Sequence, residues 1–188
     1  ARRNIHEIRI ESQAGTITTR TENILHPDNP KTSYLAVLSA VAALKQYRDS
    51  SAKEGGGVAI DIFQQVGRTA NFAIVERWRD QAAVDAHRMT AHAKQYQAAL
   101  QPMRVSGYDE RPYKTLSVAP STPASGGRPV YVVSHVDIGG GVQSDAPGLL
   151  RRLAEESRRE QGCLRFDVLQ HAVRANHFTV VEAWRDQA

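Results

Sequence analysis

The chain has 188 residues, 41% hydrophobic and 23% charged, with 24 Lys and Arg against 20 Asp and Glu. That length admits one large or two small domains of ordinary globular composition. The net charge of +4 is scattered without a basic stripe, no run nears the ~18 apolar residues of a membrane span, and the one cysteine, Cys163, excludes an internal disulfide. Neither nucleic acid nor membrane is therefore an expected partner. A cytoplasmic address is the default expectation, and because the chain begins Ala-Arg-Arg-Asn rather than with Met, an exported form with a removed signal stays open.

Residues 1–15 read as an N-terminal arm. Thr16 to Leu25 alternates and is rich in β-branched residues, which predicts a strand. Leu35, Leu38, Ala42 and Leu44 recur at helical spacing, and Gly55 to Gly57 end that helix through a left-handed cap. Val58 to Val66 and Phe72 to Trp78 read as a hairpin. Arg79 to Leu100 reads as one helix, stopped by Pro102, and Tyr113 to Val118 as a last strand. The order is β-α-β-β-α-β, the ferredoxin-like split unit of an α+β protein. The Pro-, Ser- and Gly-rich stretch 119–129 reads as a linker. Val130 to Ile138 then opens a second strand-helix-hairpin series that runs to Ala188.

With a constant shift of 106, Glu54–Ala82 lies over Glu160–Ala188 and 13 of 29 positions are identical. A repeat of that period means tandem domains rather than a solenoid. The expected organisation is a first domain at 16–118, the linker, and a second domain at 130–188. The second lacks its last helix and strand, so its sheet is expected to be incomplete.

The stretches "GCLRFDVLQ", "NHFTVVEAWRDQA" and "VERWRDQAAVDAHRMTAHAKQYQAAL" resemble the antibiotic biosynthesis monooxygenase family, which includes quinol monooxygenases. The resemblance covers 33–118 and 130–188. It implies two ferredoxin-like units whose sheets pair as a dimeric α/β barrel, closed within one chain as a pseudo-dimer or between chains as a homo-oligomer. It implies a pocket between sheet and helices, a small aromatic phenol or quinol as substrate, and oxidation by molecular oxygen without a cofactor. The alternative is a non-catalytic barrel that holds a hydrophobic small molecule. Haem degradation is disfavoured, because the Asn and Trp of haem-degrading relatives lack clear counterparts. Members that tailor polyketides carry an Asn four residues before the Trp, where this chain has Ile74 and Val180.

The candidate pocket residues are Phe72, Trp78, Tyr96, His135, Glu182 and Trp184. Each tryptophan shares a strand face with a glutamate, Glu76 or Glu182. Either tryptophan is a pocket wall or a core residue, and either glutamate is a proton acceptor or a structural partner. The candidate catalytic residues are His87, His92 and Glu76. A histidine at a pocket mouth suits proton uptake from a hydroquinone near neutral pH. His87 and His92 lie five apart on the expected single helix, a poor fit to an i, i+4 metal pair, so no metal is expected.

Overall fold

The computed structural model describes residues 4–26, 29–68, 70–104, 107–122, 128–139 and 141–185. Residues 1–3 of the expected arm and 123–127 of the expected linker lie outside them. The chain divides into two units, Ala1–Gly107 and Tyr108–Ala188.

The first unit opens with a hairpin of β1 (Asn4–Ser12) and β2 (Gly15–Asn23). Two residues separate the strands, and the short turn forces them to pair locally, from Ser12↔Gly15 out to Asn4↔Asn23. The strand expected to open the first copy at Thr16–Leu25 is thus tied to residues read as an arm. It is not paired with the hairpin further on. A small pair, β3 (Leu25–His26) and β4 (Asn29–Ser33), leads into helix α1 (Tyr34–Ser51).

Helix α1 buries Val37, Ala40, Leu44, Tyr47 and Ser51, a stripe at three- and four-residue steps. After it come β5 (Gly57–Gln64) and β6 (Phe72–Trp78), an antiparallel pair. Ile62, Phe72 and Ile74 pack on a core of Leu44, Tyr47, Ala93 and Tyr96. The expected long helix is in fact two, α2 (Gln81–Met89) and α3 (Ala91–Leu100), followed by a 3-10 turn that includes Pro102. The break falls at Thr90, whose extended backbone (φ −64°, ψ 154°) ends one helix while its hydroxyl accepts the Ala93 N–H of the next. Thr is a good N-cap and a poor helix-interior residue, which explains the split.

The second unit holds β7 (Tyr113–Ser117), β8 (Val130–Asp137), helix α4 (Ala146–Ser157), β9 (Cys163–His171) and β10 (His177–Trp184). Its sheet runs β7-β9-β10-β8, with every pair antiparallel. Strands β8 and β9 are parallel with β10 between them, the split β-α-β of the ferredoxin-like class. A fourth strand of that class would lie beside β8; the outer edge of β9 is instead covered by β7, which the sequence reading assigned to the first copy. Arg158, just past α4, fixes it there. Its guanidinium donates to Ser117 Oγ (3.0 Å), Ser117 O (2.9 Å) and Phe166 O (2.7 Å), bridging β7 and β9 where their register slips. Ala154 of α4 packs on Phe166, Val168 and Val180, with Trp184 against the same cluster.

The two copies share a turn as well as a sequence. Glu54 N–H donates to Ser51 O and Gly57 N–H to Glu54 O (both 3.1 Å); Glu160 N–H donates to Ser157 O (3.1 Å) and Cys163 N–H to Glu160 O (3.2 Å). Arg79 N–H closes on Gly56 O (2.9 Å) as Arg185 N–H closes on Gly162 O (2.8 Å). The buried serines Ser51 and Ser157 end the two helices at matching places. The molecule is thus an α+β protein with two related ferredoxin-like units. Among the described residues no helix is long and apolar enough to cross a membrane.

Candidate functional site

The chemistry-bearing side chains of the first unit converge at the end of α1. Tyr47 and Ser51 lie one turn apart on α1, and Glu54 follows on the turn after it. Glu76 and Trp78 share the face of β6 that meets the helices. His87 ends α2, and His92 begins α3 beyond the Thr90 break.

These groups form one hydrogen-bonded chain. Trp78 Nε1 donates to Glu76 Oε2 (2.8 Å), and Tyr47 hydroxyl donates to Glu76 Oε1 (2.5 Å). The same hydroxyl meets His87 Nε2 at 2.8 Å, and His87 Nδ1 meets Glu54 Oε1 at 2.7 Å. His92 Nε2 reaches that same Glu54 oxygen at 2.8 Å, with Ser51 Oγ at 3.3 Å and Thr90 Oγ1 at 3.4 Å. Exposure falls along the chain: the side chain of His92 is 23% exposed, Glu54 19% and His87 only 4%. The Trp78 ring lies 4.4 Å from the His87 ring, and Tyr47 stacks on Tyr96 at 4.1 Å.

The proton count of this chain is constrained. Tyr47 has one hydroxyl proton; donated to Glu76, it leaves the tyrosine oxygen as acceptor, so His87 Nε2 must carry a proton. His87 Nδ1 facing the Glu54 carboxylate needs a proton as well. Moving two protons one step, from His87 to Tyr47 and from Tyr47 to Glu76, gives a neutral imidazole and a protonated Glu76 over the same atoms. The row Glu54–His87–Tyr47–Glu76 is thus a path along which a proton can be handed without moving a heavy atom.

Two features hold the site in shape. Asp80 caps α2, accepting the Ala83 N–H at 2.8 Å. The Arg79 guanidinium, and then that N–H, hold the Asp80 carboxyl below the usual carboxylate range. A lowered folded value means that the cap contributes fully above the unfolded-state pKa and fades as pH falls through the folded one. Gly56 and Gly57 bring the turn against α2, α1 and β6. Neither has the left-handed backbone expected of a glycine cap; in the second copy Gly162 is left-handed at φ +98° but lies beyond Arg158, the residue that caps α4. They are needed for closeness: a Cβ on Gly56 would lie 2.4 Å from Ala83 Cβ, and one on Gly57 2.9 Å from Ser51 O. Gly56→Ala should therefore push α2 away and cost about 1–3 kcal/mol. An unchanged urea midpoint would refute that packing argument.

Of the residues expected to be catalytic, His87, His92 and Glu76 do come together. Among the expected pocket residues, Trp78 and Tyr96 flank them and Phe72 packs in the neighbouring core. Glu182 and Trp184 repeat the β6 arrangement in the second unit, Trp184 Nε1 donating to Glu182 Oε2 at 2.9 Å. Leu153, 46% exposed, stands where the repeat would place Tyr47. His135 does not join them. It pairs with Thr179 across the sheet, while Glu182 pairs with Val132, and an odd number of steps along β10 puts His135 on the opposite face. There it bonds Thr179 Oγ1 (2.8 Å) and Tyr113 hydroxyl (3.4 Å). Tyr47, Ser51, Glu54 and Thr90 were missed. Their signals were the i, i+4 spacing of Tyr47 and Ser51, the recurrence of Glu54 as Glu160, and a capping residue inside an apparent helix. The single-helix spacing used against a metal pair falls with the Thr90 break.

The family model for antibiotic biosynthesis monooxygenase matches residues 40–99 and again 129–188. The chain belongs to the antibiotic biosynthesis monooxygenase family. Both matches include a Glu-x-Trp strand, and the first includes His87 and His92. The "Putative monooxygenase YcnE" of Bacillus subtilis is 38% identical over 55 residues, 29% of this chain and 55% of that protein. A solved "Putative monooxygenase" from Fusobacterium nucleatum superposes with a TM-score of 0.67 at 16% identity, covering 79% of this chain and 69% of that one. Another from Lactobacillus acidophilus gives 0.65 at 12% identity, over 79% and 70%. At those identities the structures show the fold alone; family and relatives together support a monooxygenase-like function.

The family match begins later than the resemblance read from the sequence. Residues 1–47 match a different model, the C-terminal part of aspartate dehydrogenase. The L-aspartate dehydrogenase of Methanococcoides burtonii is 60% identical over 47 residues, 25% of this chain but only 17% of that enzyme. Strands β1 to β4 and most of α1 thus lie in a stretch similar to that family, and it includes Thr16–Leu25, which the sequence reading placed at the start of the first copy. The two matches overlap at 40–47, the last of these being Tyr47.

Proposed function

We propose that the chain is a monooxygenase that oxidises a small phenol or hydroquinone with molecular oxygen, the substrate supplying the electrons without flavin or haem. The observation that carries the reading is the chain from part-exposed His92 through Glu54 and His87 to Tyr47 and Glu76. A hydroquinone reacts with oxygen slowly until it loses a proton, because the anion is the better electron donor. His92, the most open member, takes that proton, and Glu54 shares it with the buried arm behind.

The electron-rich anion then gives an electron to oxygen, and the two radicals join at a ring carbon as a peroxide. Its O–O bond breaks, one oxygen staying on the ring and the other leaving as water. For a simple hydroquinone the sum is balanced: hydroquinone and dioxygen give a hydroxyquinone and water, one molecule of each. Both hydrogens of the water and all four electrons come from the substrate. General base assistance of this kind contributes on the order of 10²–10⁴ in rate.

A second reading is favoured by one observation: His87 covers the Trp78 ring at 4.4 Å and Tyr47 stacks on Tyr96, so side chains occupy the space beneath the tryptophan. That suits a non-catalytic scaffold role rather than turnover. Oxygen uptake with a panel of hydroquinones, run with chelator and without flavin, separates the two. Uptake well above that of Trp78→Ala supports the monooxygenase chemistry; no uptake with any member of the panel removes it.

A further inference from the structure

We propose that Glu54, His87 and His92 form a binding site for a divalent first-row transition-metal ion of the zinc type. Glu54 Oε1, His87 Nδ1 and His92 Nε2 all lie within 4.8 Å of one another. Two imidazole nitrogens and one carboxylate oxygen are the donor set of an open, three-ligand zinc centre, with water in the fourth position. The nitrogen-to-oxygen separations of 2.7 and 2.8 Å are those of shared protons. Ligand atoms around one tetrahedral ion at bond lengths of about 2.0–2.2 Å sit roughly 3.3 Å apart, so loading opens each Glu54–His separation by about half an ångström and brings the two nitrogens to the same spacing. Glu54 on its turn and His92 at a helix start are the part-exposed members and can supply it; His87 is the fixed one.

The groups behind His87 favour the same conclusion. Metal-bound histidines are held in one tautomer by a hydrogen bond from the other ring nitrogen, often through to a carboxylate. Here His87 Nε2 meets the Tyr47 hydroxyl, which donates to Glu76, and Trp78 holds the second oxygen of Glu76. With its proton committed to Glu76, Tyr47 can only accept from His87, so Nε2 keeps its hydrogen and Nδ1, on releasing the proton it shares with Glu54, is the nitrogen offered to an ion beside it. Two imidazoles disfavour magnesium and calcium, which take oxygen ligands.

The inference stands on this geometry and not on the oxidation reading. Under that reading the ion competes with the substrate proton for the same lone pairs and takes no part in the reaction. The test uses the full chain, stripped with chelator and titrated with Zn²⁺, and separately with Co²⁺ for its visible absorption. One ion per chain should bind, Co²⁺ should show ligand-field bands of a low-coordinate nitrogen and oxygen site, and excess Mg²⁺ should not compete. Glu54→Gln and His92→Ala should each weaken binding by more than about 100-fold, and Tyr47→Phe by about 10–100-fold as an outer partner. His177→Ala, which breaks the Asp137–His177 pair of the second unit, should change nothing. Featureless Co²⁺ spectra of the unsubstituted chain, binding unaltered in both Glu54→Gln and His92→Ala, or loss of the ion in His177→Ala would each overturn the proposal.

Discussion

Replacing His92 by Gln is expected to lower hydroquinone-dependent oxygen uptake about 100-fold, the lower end of what general base catalysis supplies. Gln keeps a hydrogen-bond donor for Glu54 but offers no nitrogen that can accept a proton. The side chain is only part-buried and its ring is not in the apolar cluster, so stability should move by less than about 1 kcal/mol. Because the fold survives, added imidazole should restore part of the rate. Uptake equal to that of the unsubstituted chain would show that the substrate proton goes elsewhere, and the His92 end of the relay would lose its role.

The second large effect concerns the scaffold. Phe178 is 0% exposed, the largest of the fully buried side chains in the described residues. It shares its face of β10 with Val180 and Trp184 of the cluster under α4. Phe178→Ala removes the ring and leaves a cavity, at a cost of about 3–5 kcal/mol. Val173, 83% exposed on the turn between β9 and β10, gives the contrast: Val173→Ala should stay within about 0.5 kcal/mol. Urea unfolding checks both. A Phe178→Ala midpoint no lower than that of Val173→Ala would mean that β10 does not anchor the second unit.

What could be read from the sequence was what depends on neighbours along the chain. The apolar runs Phe72–Trp78 and Phe178–Trp184 read as strands, and the two-residue repeat of a strand gave each tryptophan its right companions on one face. The Glu-x-Trp pairing follows from that spacing directly. Long-range partners were harder. Tyr113–Ser117 carries no mark in its own residues that it belongs beside β9; the deciding groups are the Arg158 guanidinium and the slipped register it covers, both far along the chain. The helix over 79–100 looked continuous because its apolar period runs through Thr90, and only the capping preference of that one residue argued otherwise. That break was also what brought His87 and His92 onto one carboxylate oxygen. His135 was placed with the wrong neighbours because the face of one strand relative to another depends on pairing register, which a strand does not carry in itself.

The seating of β7 means that heredity and folding count this chain differently. Copied text begins again near Val130, yet the block that can close its own ladder begins before Tyr113. A gene cut at the visible repeat would strip β9 of a whole row of backbone partners and offer the bare row to any other extended chain, an invitation to aggregate. The workable joint lies upstream, at the Gly107–Tyr108 division.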